Sequence, residues 1–229
     1  MSKVAVMPAL NEEGNISAAV RGISAHVDHV VVVDNGSTDA TARNAKEAGA
    51  VVVSQPERGY GAACLAGLTR ARELGATVLV FLDADGAEDP ADAPALLGPV
   101  LRGECELALG VRVAHLREPG SMTTPQGFGN WLAPALMRLT MGAPFTDLAP
   151  FKVISREAVD RLRLAERRHG FTIEFLLEAH SHRLRVREVP VRCRARQSGT
   201  SKVSGTLLGS ARAGVKILTT VGRYLVRRP

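Results

Sequence analysis

A mostly parallel α/β sheet with flanking helices is the fold class this sequence predicts, followed by an amphipathic helix at residues 205–229. Three observations carry that expectation. Short apolar runs, mostly rich in β-branched residues, recur at residues 3–7, 30–33, 50–53, 78–82 and 107–109. Helix-like stretches separate them, so strand and helix alternate about every 20 to 30 residues, the rhythm of a sheet built with crossover helices. Charged side chains follow three of the runs, at Asp34, Asp83 and Arg112. These would share one rim of the sheet, beyond the strand ends where open α/β folds bind ligands.

Each element follows in order. Residues 3–7 (KVAVM) lead into Pro8-Ala9-Leu10-Asn11-Glu12-Glu13, where Asn11 or Asn15 can cap a helix and the acids suit its first turn. The four valines at 30–33 end at Asp34-Asn35-Gly36-Ser37-Thr38-Asp39, and Ser37 or Thr38 is the expected cap of a helix running to about Ala48. After the strand at 50–53, Gln55 to Ala63 is a glycine-containing turn into a helix ending near Gly75. Residues 78–82 form the strand that runs into Asp83. Residues 90–101 read as helical, and 107–109 as a fifth strand ending in Gly110-Val111-Arg112. Residues 113–124, with charge, Gly and Pro, read as a mobile loop. Phe128, Trp131, Leu132, Leu136 and Leu139 recur at helical spacing, predicting a helix over 125–141. A turn and short strand at 146–154, a helix over 171–181 and an edge strand over 185–191 follow. Residues 192–204 are a basic loop. At 205–227, Leu207, Ala211, Val215, Leu218, Val221 and Leu225 form one apolar face beside Arg212, Lys216, Arg223 and Arg227. Such a helix either packs on its own domain or lies in the headgroup layer of an anionic membrane.

Composition narrows the partners. Hydrophobic residues make up 45% and charged residues 23%, globular values that exclude wholesale disorder. Three cysteines, widely spaced and odd in number, argue against a disulfide framework and for a reducing, cytoplasmic setting. Glu12 and Glu13 interrupt the first apolar run, unlike a signal peptide. No stretch reaches the roughly 18 apolar residues of a membrane span. The net charge of +6 is uneven: residues 183–229 hold twelve Lys and Arg against one acid, Glu188, while the rest is net acidic. A basic tail behind an acidic body suits an anionic partner, whether nucleic acid, phosphorylated substrate or membrane surface.

The chemistry concentrates at Asp83-Ala84-Asp85-Gly86. Two carboxylates one residue apart, at the end of a buried strand, are hard oxygen ligands suited to Mg²⁺ or Mn²⁺. The alternative is a pair of turn aspartates bonding to nearby backbone.

Four segments together resemble the family-2 glycosyltransferases of the GT-A fold, and within them the dolichyl- and polyprenyl-phosphate sugar synthases. Pro8-Ala9-Leu10-Asn11-Glu12 resembles the family's P-A-x-N-E opening. Asp34 to Asp39 resembles its D-D-G-S-x-D turn, and Asp83-Ala84-Asp85 with Asp89-Pro90 its D-A-D metal motif. Arg196-Gln197-Ser198-Gly199-Thr200-Ser201-Lys202 resembles its R-x-x-G-x-S-K loop. The resemblance implies a GT-A catalytic domain over 1–204 and an inverting transfer of a hexose. Pro8, Ala9, Asn11, Glu12, Asp34, Asp83, Ala84 and Asp85 would bind the nucleotide-sugar, with Asp83 and Asp85 holding the Mg²⁺ or Mn²⁺ that neutralises the departing diphosphate. Arg112, in a G-x-R pattern, would touch donor diphosphate or acceptor phosphate, and Arg196, Ser201 and Lys202 would clamp the acceptor phosphate. Asn35 departs from the second aspartate of D-D-G, removing a charge from the nucleotide pocket. Ala87 stands where related synthases carry a glutamine in the metal shell, leaving Glu88 as a possible substitute.

The acceptor separates the readings. A polyprenyl phosphate at the cytoplasmic membrane face is already an anionic nucleophile, whereas a soluble or glycan hydroxyl needs a general base. Asp147 and Glu174 are the candidates for that base; otherwise Asp147 caps a turn and Glu174 pairs with an arginine. A nucleic-acid-binding module is disfavoured, because no aromatic residues interleave the basic loop as a stacking platform.

Overall fold

A computed structural model describes residues 1–195 and Gly222 of the chain. The elements run β1 (Lys3–Ala9), α1 (Ile16–Ser24), β2 (His29–Asp34), α2 (Thr41–Glu47), β3 (Val51–Ser54), α3 (Tyr60–Glu73), β4 (Val78–Phe81), α4 (Ala93–Leu101), β5 (Leu107–Arg117), α5 (Thr124–Met141), β6 (Lys152–Ser155), α6 (Arg156–Arg161), α7 (Phe171–Ser181) and β7 (Val186–Cys193). Seven strands make one sheet in the order β3-β2-β1-β4-β6-β5-β7. Four neighbouring pairs in that order, β3–β2, β2–β1, β1–β4 and β5–β7, are parallel, while β6 runs antiparallel between β4 and β5. The sheet is therefore mostly parallel, as expected, with one reversed strand, β6, in its interior among the described residues.

Strand alternation builds a core on each face. Val4 and Val6 point to one side with Val31, Val33, Leu79 and Phe81, under α3, α5 and α7. Ala5 and Met7 point to the other with Val30, Val32, Val78 and Val80, under α1 and α4. All four β4 residues are buried, which fits a central strand covered on both faces.

Several local expectations are corrected. Residues 113–117 continue β5 to Arg117 instead of forming a loop, because β7 pairs alongside up to Cys193. Arg112 accordingly lies inside β5, not at its end. The Asn15 side chain does not cap α1 but donates to Glu12 at 2.8 Å, and α1 has no acid in its first turn. Asn11, at φ +50°, accepts instead from the Thr38 backbone N–H. Neither Ser37 nor Thr38 caps α2: Asp39 accepts from the Thr41 N–H and Glu13 from the Ala40 N–H. The 125–141 helix forms as α5, but Phe128, Trp131 and Leu139 face outward while Ala133, Met137 and Met141 are buried. The helix expected at 205–229 lies outside the described residues. Among the described residues no helix is long and apolar enough to cross a membrane.

Candidate active site

A cleft of about 350 Å³ opens beyond the carboxyl ends of β1, β2 and β4. Pro8, Ala9, Leu10 and Glu12 line it from the β1 exit, Asn35 from the β2 exit, and Asp83, Ala84 and Asp85 from the β4 exit. The start of α3, with Gly59, Tyr60 and Ala63, closes one side, and Arg58, Arg168 and His169 also line it. Most of the donor residues expected from the sequence thus meet in one place. Asn11 and Asp34 are not among the lining residues. Asn11 bonds to the Ser37–Thr38 turn, and Asp34 accepts from the Ser37 N–H at 3.1 Å.

Asn35 has a different task from the one its missing charge suggested. Its amide donates to the Gln55 carbonyl at 2.9 Å and the Glu57 carbonyl at 2.7 Å, and accepts from the Gly59 N–H at 2.7 Å. An aspartate accepts only and could not make the first two bonds. The asparagine therefore clasps the turn that delivers α3 to the cleft.

The turn needs its glycines for close approach. A Cβ on Gly61 would stand 2.0 Å from the Glu166 carbonyl, and one on Gly59, at φ +155°, 2.2 Å from the Arg167 carbonyl. The Gly61 and Ala62 N–H groups donate to the Arg168 and Arg167 carbonyls, so these donors at the start of α3 are already satisfied by protein. Glu174 secures the other side of this contact. Its carboxylate accepts from the Ala165 and Glu166 N–H groups at 3.0 and 2.7 Å, and burial pushes its pKa up. The expected arginine partner is replaced by backbone.

Around the paired aspartates the charge is poorly compensated. Burial first, and the neighbouring Asp85 second, raise the Asp83 carboxyl to about 6, against the pull of a 3.0 Å bond from the Tyr60 hydroxyl. Asp85 spends one oxygen on the Ala87 N–H at 3.0 Å, the local turn that the sequence also allowed. Glu88 is buried, and its Oε2 has no hydrogen-bond partner among the described residues. Its carboxyl is raised well above the usual range by burial, then by Asp83 and Asp85. An orphaned buried oxygen beside two partly buried carboxylates fits a divalent cation with a preference for hard oxygen. Among the described residues no three His, Cys, Asp or Glu side chains converge as a ready cage. Asp83 and Asp85 could therefore hold an ion whose shell substrate oxygens and water complete.

Sequence reasoning missed Lys152. It sits on β6, in register with Phe81 of β4 and Leu109 of β5, and is fully buried. Its Nζ lies 5.9 Å from the Phe81 ring centre and 5.1 Å from that of Phe175, with no hydrogen-bond partner among the described residues. Burial lowers its pKa, while the charges of Cys64, Asp83 and Glu88 oppose that shift. A cation inserted by the one reversed strand thus underlies the acid cluster. No sequence motif announces it.

Arg112 and Asp147 form a second centre on β5 and the turn before β6. The Asp147 carboxylate accepts from the Arg112 backbone N–H at 2.7 Å, its Nε at 3.0 Å and its Nη2 at 2.6 Å. Asn130 of α5 accepts from the same Nη2 at 3.0 Å and from the Leu148 N–H. Burial would lower the Arg112 pKa, but Asp147 more than offsets it and holds the guanidinium charged. Its charge reaches Asp83 and Glu88.

The end of β7 is fastened to the turn that follows Asp85. Asp89 caps a 3-10 turn at Pro90–Asp92 through the Ala91 N–H and pairs with Arg192 at 3.0 Å and Arg194 at 2.6 Å. The Arg194 N–H donates to the Ala87 carbonyl. Arg196, Ser201 and Lys202 lie outside the described residues, but the chain leading to them is fixed here.

A parallel-type sheet with an acidic D-x-D exit beside a cleft at its β1–β2–β4 rim is the architecture of GT-A glycosyltransferases. The chain belongs to one family of that class: the glycosyl transferase family 2 profile matches residues 4–163. It is 38% identical over 207 residues, 90% of this chain and 91% of the relative, to an uncharacterised glycosyltransferase of Mycobacterium tuberculosis. It is 29% identical to the polyprenol monophosphomannose synthase of Mycolicibacterium smegmatis, covering 90% of this chain and 82% of that one. Among solved structures it resembles M. tuberculosis glucosyl-3-phosphoglycerate synthase in complex with Mn²⁺, UDP and glucosyl-3-phosphoglycerate. There the TM-score is 0.74 and the identity 26%, with 96% of this chain and 80% of that one covered.

Proposed function

We propose that this family 2 glycosyltransferase is a metal-dependent, inverting enzyme that moves a hexose from a nucleotide-sugar to a polyprenyl phosphate at the cytoplasmic face of a membrane. The observation that carries the proposal is the shared rim. The cleft runs from Glu12 to Asp83 and Asp85, and Arg192 and Arg194 are tied to the turn that follows Asp85 on the way into the basic segment.

Glu12 would accept from the donor's base or ribose at one end, with Asp34 and Asn11 shaping the neighbouring turn. Pro8, Ala9 and Ala84 would supply backbone and apolar walls. Asp83 and Asp85 would hold Mg²⁺ or Mn²⁺, which when bound supplies Lewis-acid neutralisation of the departing diphosphate. Tyr60 would keep the Asp83 carboxylate oriented toward the ion. Arg112 would hold a fixed positive charge facing the reacting phosphates, while Asp147 and Asn130 position it. With three donors from Arg112 on its carboxylate, Asp147 serves better as this positioning residue than as a general base. Arg196, Ser201 and Lys202 would clamp the acceptor phosphate. That division suits an acceptor that is already ionised.

The likeness to glucosyl-3-phosphoglycerate synthase favours a second reading, in which the acceptor is a small soluble phosphate with a free hydroxyl. Both are tested in one experiment. Purified protein is incubated with GDP-mannose, UDP-glucose and other nucleotide-sugars, with Mn²⁺ or Mg²⁺, and with either a polyprenyl phosphate or 3-phosphoglycerate. The expected result is nucleoside diphosphate release that depends on the polyprenyl phosphate and on the metal. Release with 3-phosphoglycerate alone would transfer the assignment to the second reading. Asp85→Asn should lower the release at least a hundredfold, in line with loss of about 3 kcal/mol of transition-state stabilisation, with the circular dichroism spectrum unchanged. Full activity in that variant would reject the metal role.

A further inference from the structure

Helix α5 puts its bulky apolar side chains on the outside. Phe128, Trp131 and Leu139 are 59%, 64% and 82% exposed, and they make up three of the five exposed large hydrophobic residues among the described residues. With Ala135 they recur at intervals of three and four, which aligns them in one stripe along the helix. The Phe128 and Trp131 rings are already in contact, 5.9 Å apart and inclined by 38°. A capping box at Thr123 and Gln126 fixes the start of the helix beneath them. Soluble surfaces rarely leave such a stripe uncovered without a purpose.

We infer that this face of α5 is a docking surface for a phospholipid bilayer with anionic headgroups. Two observations select that occupant. The first is charge. Between Glu118 and Asp147 the sequence holds no acid, and its one charged residue is Arg138, itself exposed on α5. Trp and Phe next to a cation and free of carboxylates are the composition that settles in the headgroup layer, with the rings reaching the acyl boundary. The second is continuity with the reaction centre. Asn130, the residue before Trp131, accepts from Arg112 Nη2 at 3.0 Å and from the Leu148 N–H at 3.1 Å. One turn of helix therefore holds the guanidinium on its inner side and offers the tryptophan on its outer side. A lipid-borne phosphate entering at Arg112 would come from the bilayer that α5 touches. In this respect the inference rests on the polyprenyl phosphate reading given above.

Trp131 is the only tryptophan in the chain, so it reports its own surroundings. Full-length protein is titrated with phosphatidylglycerol–phosphatidylcholine vesicles that contain no polyprenyl phosphate, without donor or metal. The expected result is a shift of Trp131 emission to shorter wavelength and weaker quenching by acrylamide, saturating with lipid and reduced on pure phosphatidylcholine. The double variant Phe128→Ser with Leu139→Ser, which keeps the reporter, should need about tenfold more lipid and bind Mn²⁺–UDP unchanged. Co-sedimentation with vesicles while Trp131 emission and quenching stay constant would overturn the inference, since contact would then lie elsewhere. Emission already shielded before lipid is added would also overturn it, the face being covered by the chain itself or by a second copy. The two readings fail separately. Vesicle docking without polyprenyl phosphate turnover would sink the acceptor assignment alone, and turnover with an unshifted Trp131 would sink the docking surface alone.

Discussion

At the scale of single residues, Asn35 shows how a departure from a motif acquires its meaning from contacts. Set beside Asp34 in the sequence, it looks like a charge removed from a nucleotide pocket. In the fold its two amide hydrogens go to the Gln55 and Glu57 carbonyls, and its oxygen takes the Gly59 N–H. Asn35→Asp would set a carboxylate against two part-buried carbonyls and delete two bonds. The expected cost is about 2–3 kcal/mol of stability, read as a lower urea midpoint with an unchanged slope. If the midpoint is unchanged, the clasp contributes nothing to the fold. Lys152 and Glu88 make the same point from the other side. Each carries a buried polar atom with no hydrogen-bond partner among the described residues, which few structural roles would justify. Both groups lie within electrostatic reach of Asp83, where they shape the field an incoming cation and diphosphate would meet.

At the scale of elements, the contact between α3 and the segment before α7 is the clearest case of packing overruling propensity. Gly61 lies in the first turn of α3, where alanine would ordinarily favour the helix by up to about 1 kcal/mol. The added methyl would meet the Glu166 carbonyl at 2.0 Å, a backbone atom held by Glu174 through the neighbouring N–H groups. Overpacking of this kind costs about 1–3 kcal/mol, so the net sign is destabilising. Gly61→Ala should therefore lower the melting temperature and weaken nucleotide binding, because Arg168 and His169 line the cleft from the displaced segment. A higher melting temperature in that variant would show that the segment yields. Strand β5 teaches a related lesson. Its last residues carry Gly-, Pro- and charge-rich neighbours, yet pairing with β7 extends it to Arg117 and places Arg112 inside a strand.

At the scale of the whole molecule, the chain returns to its own acidic turn after crossing the sheet. Asp89 meets Arg192 and Arg194 across more than a hundred residues of sequence. This joins the turn after Asp85 to the path of the basic segment that would clamp the acceptor. Arg194→Gln keeps the Asp89 cap on Ala91 and the pair with Arg192, and removes the nearer of the two charged ties. The expected outcome is an acceptor KM raised roughly tenfold, as for loss of one charge-assisted hydrogen bond, with the KM for whichever nucleotide-sugar proves to be the donor within about twofold of wild type on the same scale. Equal losses in donor and acceptor binding would assign the tie to the donor side.

Much of this could be read from the chain alone, because its signals are local. Alternation of β-branched runs with helices of roughly constant spacing dictated a mostly parallel sheet, and Pro8 to Glu12, Asp34 to Asp39 and Asp83 to Asp85 marked the exits of β1, β2 and β4. What needed the tertiary structure involves groups brought together from distant positions. The reversal of β6 buries Lys152 behind Asp83. The Arg112 guanidinium is fixed to Asp147, thirty-five positions away, with Asn130 holding it from α5. Hydrophobic periodicity shows that α5 is a helix but does not say which stripe faces the core. Ala133, Met137 and Met141 join the core on the α3 and α7 side of the sheet, and that packing leaves Phe128, Trp131 and Leu139 facing outward.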